Sequence, residues 1–240
     1  ITNIDLKDEM LIIRALNNFK EIDKNILQQS AFQGLVDQAI KEIEIRNNRM
    51  LCTDVLAKEH YEYIFKTMTN DTFTWNYNDH VVKKSEFDTE EKHQLQFVHK
   101  FHEVSQILTT PEYWQMLFPI FEVLQPHTFI RVKANNIPSK EKIITHGMHT
   151  DTGIPLSYTA IYYVNTNNGF TEFEDDKIDS VANSMVVFPS YMKHTGSTCT
   201  DARSRININI NFVADHRSEF IKPIVPNEAH DTIKLWRNHE

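Results

Sequence analysis

Residues 205–212 read RINININF, in which isoleucine alternates with asparagine after a leading arginine. Successive side chains of a β-strand point to opposite faces, so this alternation predicts a strand with one apolar and one polar face. Three further β-rich segments precede it, and turns separate them: FIRVKAN at 129–135, YTAIYYVN at 158–165 and SMVVFPS at 184–190. Several short strands at close spacing predict a β-sandwich or barrel.

The chain before residue 129 has a different hydrophobic pattern, with apolar residues that recur every three or four positions. This spacing predicts helices from Ile4 to about Met68 and over residues 90–108, and Pro111 is expected to begin another helix. Between these helices the segment TFTWNYNDHVVK, residues 72–83, is expected to be extended. Helices that cover one sheet of a β-rich core predict the α+β fold class.

The overall composition limits the kind of partner. The chain has 240 residues, and its 33 acidic and 25 basic residues give a formal net charge of −8. This charge would repel a phosphate backbone, so nucleic acid is not the expected partner. Cys52 and Cys199 lie far apart and form no CxxC pair, which suggests neither a disulfide framework nor a zinc knuckle. No apolar run has the length of a membrane helix, and a soluble cytoplasmic protein is expected.

The stretch HGMHTDTG, residues 146–153, places two histidines and an aspartate within six positions. In extended backbone His149 and Asp151 share a face, whereas His146 points elsewhere. His194 follows the apolar segment at 184–190 and is the candidate third ligand. Two imidazoles and one carboxylate on one face of an octahedron leave three positions open, which is the arrangement of non-heme Fe(II) sites.

Arg205 strengthens this interpretation, because a His-x-Asp pair alone is more often a hydrogen-bonded surface pair. An arginine that opens a half-buried strand is costly unless it meets an anion, and its planar guanidinium suits a carboxylate. His99 and His102, three positions apart in a predicted helix, could also bind zinc. A solvated helix face is the expected interpretation there, because no cysteine or acidic partner lies at ligand spacing.

The stretch 129–213 resembles the double-stranded β-helix core of the Fe(II)- and 2-oxoglutarate-dependent dioxygenases, closest to the prolyl-hydroxylase-like branch and to phage-type members. The matching segments are HTD, TAIYYVN, GFTEFED in place of the usual Gly-Gly turn, VVFPSYMKH and then Arg205. The resemblance implies an oxygenase domain over residues 48–240 and does not cover residues 1–47. That first segment has amphipathic helical spacing, so it is expected to be a helical extension that packs on the domain or on a second copy in a homodimer.

The resemblance also implies a cofactor set and an activity. His149, Asp151 and His194 would be the iron ligands, and Fe(II), 2-oxoglutarate and O2 would be required. The reaction would be hydroxylation of a peptide side chain or of a small molecule. Two alternatives stay open: a non-redox cupin-like β-barrel that binds a metal or a sugar, and a nucleic-acid demethylase of the same superfamily.

The remaining roles concern 2-oxoglutarate and the substrate. Arg205 would bind the distal carboxylate of 2-oxoglutarate, Tyr163 would add a hydroxyl to it, and Asn207 would contribute a hydrogen bond. Arg203 is a rival to Arg205 because both lie on one strand face, although Arg203 falls in the loop TDARS. Two further cations on one strand face are candidate contacts for an acidic substrate, with plain surface charge as the alternative: Arg131 and Lys133.

Overall fold

A computed structural model describes residues 49–79, 95–154 and 157–214, together with the backbone of 233–236. All of these residues belong to the unit Asn48–Glu240. The predicted helical extension at 1–47 lies outside the described residues. Within the described part of the chain, no helix is long and apolar enough to cross a membrane.

The described elements are three helices and twelve strands. The helices are α1 (Lys58–Met68), α2 (Pro111–Gln115) and α3 (Phe118–Leu124). The strands are β1 (Arg49–Cys52), β2 (Asn76–Asn78), β3 (Gln96–Glu103), β4 (Gln106–Ile107), β5 (Pro126–Pro138), β6 (Ser157–Tyr163), β7 (Asn167–Phe173), β8 (Lys177–Ser180), β9 (Ser184–Pro189), β10 (His194–Gly196), β11 (Ser204–Ala214) and β12 (Ile233–Trp236).

The strands form two antiparallel sheets. The large sheet has the order β12-β1-β9-β6-β11-β5-β3-β2, with β4 paired to β3, and the small sheet has the order β10-β7-β8. The four strands predicted from the alternating segments are β5, β6, β9 and β11, which lie next to one another in the large sheet. Their position confirms the strand-rich core.

The alternation of β11 positions its two faces. Ile206, Ile208 and Ile210 are buried in the main hydrophobic cluster, which they share with residues of α1 and α3 such as Ile64 and Ile120. The helices therefore cover the outer face of the large sheet, as the sequence predicted. The opposite face of β11 carries asparagines, and this polar face is directed away from the helix layer.

A second hydrophobic cluster joins the two sheets. Phe188 of β9 and Tyr163 of β6 pack with Phe173 of β7 and Ile178 of β8. The rings of Phe173 and Phe188 meet edge to face with centroids 4.9 Å apart. This contact gives a β-sandwich whose two sheets enclose a space at one end.

The predicted helix at 90–108 is wrong where the structure describes it, because Gln96–Glu103 form β3. A β-bulge in β3, between Lys100 and His102, shifts its register against the partner strand β5. Phe101 lies in the main hydrophobic cluster and His102 stacks on Trp114, so both of these adjacent residues contact the helix layer. An extra residue in a strand breaks its period of two, and here the resulting spacing imitates a helix.

His99 and His102 are therefore strand residues and not members of a helix face. The His99 ring lies within hydrogen-bond distance of the Thr74 carbonyl and the Thr109 hydroxyl, at 2.8 Å from each. These partners account for both ring nitrogens, so His99 has a packing role.

Candidate functional site

A short backbone pairing brings the predicted metal ligands together. His149 and His194 form an isolated antiparallel bridge, in which each backbone N–H donates to the other residue's carbonyl at 2.9 Å. Asp151 N–H donates to the Ser190 carbonyl at 3.2 Å, which adds a further backbone contact between the two segments. One potential ligand atom from each of His149, Asp151 and His194 lies within 4.8 Å of the others. The sequence expectation that His149 and Asp151 converge agrees with this geometry.

Both histidines are oriented to present Nε2. The Nδ1 atoms of His149 and His194 lie 3.1 Å from the carbonyls of Gly147 and Met192, respectively. A carbonyl only accepts, so Nδ1 carries a hydrogen, and in the neutral ring Nε2 then keeps the lone pair. Burial lowers the pKa of His194, which favours the neutral imidazole that binds metals, although the Asp151 carboxylate opposes this shift.

Asp151 is a buried carboxylate surrounded by donors. Arg131 Nη2 donates to Oδ1 at 2.9 Å, and Oδ2 accepts from the Thr159 hydroxyl and the Asn211 amide at 2.9 and 3.0 Å. Burial raises the pKa of Asp151, but His194 and Arg131 outweigh burial and hold this pKa well below its usual range. The carboxyl is therefore ionised at neutral pH.

Two imidazoles and one carboxylate fit Fe(II), because imidazole and carboxylate are ligands that this ion accepts in a facial triad. The hydrogen bonds of both histidines and of Asp151 with neighbouring protein groups are of the kind that orients metal ligands before the ion binds. Nothing in this donor set requires a fourth protein ligand.

Arg205 lies in the same cavity and is 2% exposed. Its Nε donates to the Ser180 hydroxyl at 2.7 Å and its Nη2 to the Thr171 hydroxyl at 3.0 Å. No carboxylate of the described residues pairs with it. A buried guanidinium without a counter-ion is costly, so this position is suited to binding an anion.

Two neighbours of Arg205 do not line the cavity. Arg203 shares its strand parity but is exposed and is not among the cavity residues. The Tyr163 hydroxyl donates to Thr171 at 2.8 Å, and Tyr163 itself does not line the cavity. Tyr163 therefore supports Thr171 and Arg205 in this structure, and its predicted contact with 2-oxoglutarate stays a prediction.

The other predicted site residues line the cavity. Asn207 accepts a hydrogen bond from the Asn135 amide at 2.9 Å. Arg131 and Lys133 are both cavity residues, but only Arg131 contacts a predicted metal ligand. This contact with Asp151 was not predicted from the sequence.

His146 lies closer to the site than the sequence predicted. It is outside the metal-ligand group, yet it lines the same cavity, is 6% exposed, and has no hydrogen-bond partner at either ring nitrogen among the described residues. Burial, Arg205 and His149 together lower its pKa to about 4. The segment 146–151 is not a regular strand, so a simple alternation of faces does not hold at its first residue.

The cavity has a volume of about 300 Å³, and polar residues dominate its lining. Several of them were not identified from the sequence, because they belong to no motif. One signal was available: the asparagines of RINININF have the same strand parity as Arg205. The missed residues that contact Asp151 or Arg205 are Thr159, Thr171, Ser180, Asn209 and Asn211.

Comparisons by sequence and by structure give different results. No family model and no curated protein sequence matches the chain. A 2OG-Fe(II) oxygenase family oxidoreductase from Burkholderia pseudomallei matches with a TM-score of 0.51 and 9% identity, over 74% of this chain and 91% of that one. A Trichoplax adhaerens prolyl hydroxylase, solved with a hypoxia inducible factor peptide fragment, matches with a TM-score of 0.50 and 10% identity, over 76% and 93%.

A third similar structure is the non-heme alpha ketoglutarate dependent epimerase of nogalamycin biosynthesis. It matches with a TM-score of 0.50 and 10% identity, over 83% of this chain and 95% of that one. All three identities are low, so the likeness concerns the fold. The chain has the fold of the 2OG-Fe(II) oxygenases.

Proposed function

We propose that this protein is an Fe(II)- and 2-oxoglutarate-dependent oxygenase that hydroxylates its substrate. The observation that carries the proposal is a single cavity that contains both the group His149, Asp151 and His194 and the buried guanidinium of Arg205, which has no carboxylate partner among the described residues. A metal-binding β-barrel without redox turnover needs the first feature but has no use for the second.

In this proposal His149, Asp151 and His194 hold the iron. When bound, iron supplies the activation of O2 that is coupled to decarboxylation of 2-oxoglutarate to succinate. Arg131 fixes the Asp151 carboxylate through its hydrogen bond to Oδ1. The carbonyl partners of both Nδ1 atoms keep the imidazoles in the tautomer that leaves Nε2 available.

Arg205 binds the distal carboxylate of 2-oxoglutarate. Ser180 and Thr171 hold its guanidinium in place, and Tyr163 orients Thr171 or reaches the same carboxylate. Asn207, on the same strand face, adds a hydrogen bond within the cavity. The apolar rings of Phe173 and Phe188 lie against His194 and keep water from that side of the site.

The proposal includes the organisation of the chain. Residues 48–240 form the oxygenase domain, with a double-stranded β-helix core at about 129–213, and residues 1–47 form an N-terminal extension outside that domain. The substrate is a peptide side chain or a small molecule, contacted by Arg131 and Lys133. Cys52 and Cys199 are free thiols, which suits a reducing compartment such as the cytoplasm.

Anaerobic spectroscopy tests this function. Adding 2-oxoglutarate to the Fe(II)-loaded protein is expected to produce a weak visible charge-transfer band, and admission of O2 should then yield succinate. His149→Ala and Asp151→Ala should abolish both signals, whereas His102→Gln, a change at a buried histidine outside the cavity, should retain them. Folded, iron-loaded protein that shows no band and forms no succinate would instead fit the non-redox cupin-like alternative.

A further inference from the structure

The cavity floor is a row of side chains from three neighbouring strands. In the antiparallel register Asn209 of β11 lies opposite Lys133 of β5 and Ile161 of β6, and Asn207 lies opposite Asn135. All five residues line the cavity. The side chains of this row therefore face one enclosed space and can contact one ligand.

The charged groups that line the cavity are not balanced. Among the described residues its charged side chains are three cations and one carboxylate, namely Arg131, Lys133, Arg205 and Asp151. Arg131 is paired with Asp151, and the proposed function assigns Arg205 to 2-oxoglutarate. The Lys133 ammonium makes no hydrogen bond or ion pair with a described residue, and burial together with Arg131 lowers its pKa to about 8. A bound anion would relieve this unfavourable environment.

Two carbonyl oxygens beside Lys133 also lack partners. Asn135 Oδ1 and Asn209 Oδ1 are buried and accept no hydrogen bond from a described residue. Their orientation is fixed by the other end of each amide, since Asn209 Nδ2 donates to Asp151 at 3.3 Å and Asn135 Nδ2 donates to Asn207 at 2.9 Å. A carboxylate accepts only, so the Asn209 oxygen must face away from Asp151. A buried acceptor without a partner is destabilising, and a donor on a ligand would offset this.

We propose that Lys133, Asn135 and Asn209 form a substrate subsite for a small carboxylate that carries a neutral hydrogen-bond donor, an amide N–H or a hydroxyl, next to the carboxyl group. The carboxylate pairs with Lys133 and the donor binds one of the two asparagine oxygens. A neutral donor is required because an ammonium would add a like charge beside Lys133 and Arg131. The inference rests on the proposed function, in which the substrate lies next to the metal and 2-oxoglutarate.

The size and lining of the cavity agree with this substrate class. Its volume of about 300 Å³ is at the lower end of the roughly 300–1,000 Å³ that ligand pockets span, and 2-oxoglutarate occupies part of it. No phenylalanine, tyrosine or tryptophan of the described residues lines it. A bulky apolar substrate would therefore find little complementary surface.

Nuclear magnetic relaxation tests the subsite without turnover. The protein is loaded with Mn(II), a paramagnetic ion in place of iron, and saturated with 2-oxoglutarate. Relaxation of the methylene protons is then measured for N-acetylglycine and for glycolate. We expect enhancement for at least one of these carboxylates, and which of the two responds identifies the donor as amide or hydroxyl.

Matched probes separate the two contacts. N-acetylglycinamide and glycolamide lack the carboxylate, and N-acetylsarcosine and methoxyacetate lack the donor; each should bind about tenfold more weakly or worse than its parent. Lys133→Met should weaken the binding of the parent carboxylate to a similar extent. Lys100→Met should not, because Lys100 is a half-exposed lysine of the adjacent strand whose ammonium pairs with Glu103.

The outcomes distinguish the two proposals. Relaxation of the protons of 2-oxoglutarate itself reports the proposed function, and its absence would overturn that function first. If 2-oxoglutarate responds but neither carboxylate does, only the subsite is wrong. Equal responses of a carboxylate and its amide, or an unchanged response in Lys133→Met with unchanged Mn(II) affinity, would also overturn the subsite.

Discussion

Arg205 and Arg203 lie two positions apart in the sequence and differ in their exposure to water. Because Arg205 is buried and held by two hydroxyls, its loss should leave the distal carboxylate of 2-oxoglutarate without a charged partner. Such a loss costs on the order of 2–5 kcal/mol, so Arg205→Ala should weaken 2-oxoglutarate binding by tens to thousands of fold while iron still binds. Arg205→Lys should recover only part of the affinity, because an ammonium lacks the bidentate geometry.

The matched control for this change is Arg203→Ala. An exposed arginine outside the cavity should have little effect on the concentration of 2-oxoglutarate that half-saturates the anaerobic charge-transfer band. A large loss at Arg203 with none at Arg205 would transfer the role to Arg203.

His146 is the second residue whose burial has no explanation within the protein alone. Both of its ring nitrogens lack a partner among the described residues, and it is close enough to Arg205 and His149 for both to affect its charge. We predict that His146→Leu leaves the free energy of unfolding of the ligand-free protein unchanged or raises it by about 1–2 kcal/mol, because an unsatisfied polar group is removed. The same variant should bind 2-oxoglutarate at least about tenfold more weakly.

Weaker 2-oxoglutarate binding without a loss of stability distinguishes a ligand-binding histidine from a structural one. His102→Leu is the comparison, since His102 is buried against Trp114 and Phe129 and does not line the cavity. Urea denaturation and anaerobic titration of both variants give the two quantities. Unaltered 2-oxoglutarate affinity in His146→Leu would place His146 outside the binding site, in agreement with the sequence prediction that it points away from His149 and Asp151.

Strand β7 approaches Arg205 closely at Gly169. A Cβ at this position would lie 2.8 Å from Arg205 Cδ and 2.9 Å from the backbone carbonyl oxygen of Thr198. The carbonyl is not free to move away, so Gly169→Ala should displace the guanidinium, destabilise the fold by about 1–3 kcal/mol and weaken 2-oxoglutarate binding. Gly153→Ala is the control, because a Cβ there meets nothing within 4 Å. Equal 2-oxoglutarate affinities in the two variants would show that this strand does not position Arg205.

Three strands of the large sheet show which elements could be predicted from the sequence. β11 was predictable because every second residue faces the same core, so that periodicity alone identifies it. β3 was not, since its bulge between Lys100 and His102 interrupts the period. β1 was missed as well: its four residues, Arg49–Cys52, are too few for a pattern, and they are strand because β9 and β12 pair with them.

The residues of the candidate site also divide into those that could be predicted from the sequence and those that could not. His149, Asp151 and His194 could be identified because metal ligands have a characteristic residue type and spacing. Ser180 and Thr171 could not, because they reach Arg205 only through the pairing of the small sheet, and serine and threonine are frequent everywhere. Long-range contacts of common residues leave no local signal in a sequence.

The charge of the whole molecule contrasts with that of its cavity. The chain has a formal net charge of −8, whereas the charged side chains that line the cavity are three cations and one carboxylate. A cation-rich recess in an acidic protein attracts small anions at short range, while the outer surface disfavours polyanions such as nucleic acid. This contrast favours a small acidic substrate over the nucleic-acid alternative.

Buried histidines should make the whole fold sensitive to acid. Burial lowers the pKa of His99 and of His102 below the ordinary value of 6.5, and it contributes most to the lowering of the His146 pKa to about 4. Because these folded pKa values lie below the unfolded value, the unfolded chain binds more protons between pH 6.5 and 4. The contribution of these histidines to the free energy of unfolding is therefore fully present above about pH 6.5 and is lost as the pH falls towards 4. The lowered pKa of Asp151 extends the loss to still lower pH.

Urea denaturation in the presence of a chelator, at several pH values between 8 and 4.5, measures this effect on the metal-free protein. We expect the free energy of unfolding to decrease steadily below about pH 6.5, with a smaller decrease in His102→Phe, because one titrating group is then absent. The contact of His102 with Trp114 and Phe129 makes phenylalanine the replacement that keeps the ring packing. A free energy of unfolding that stays constant from pH 7 to 4.5 would mean that these histidines are accessible to protons in the folded state, and that the packing around β3 is looser than the structure shows.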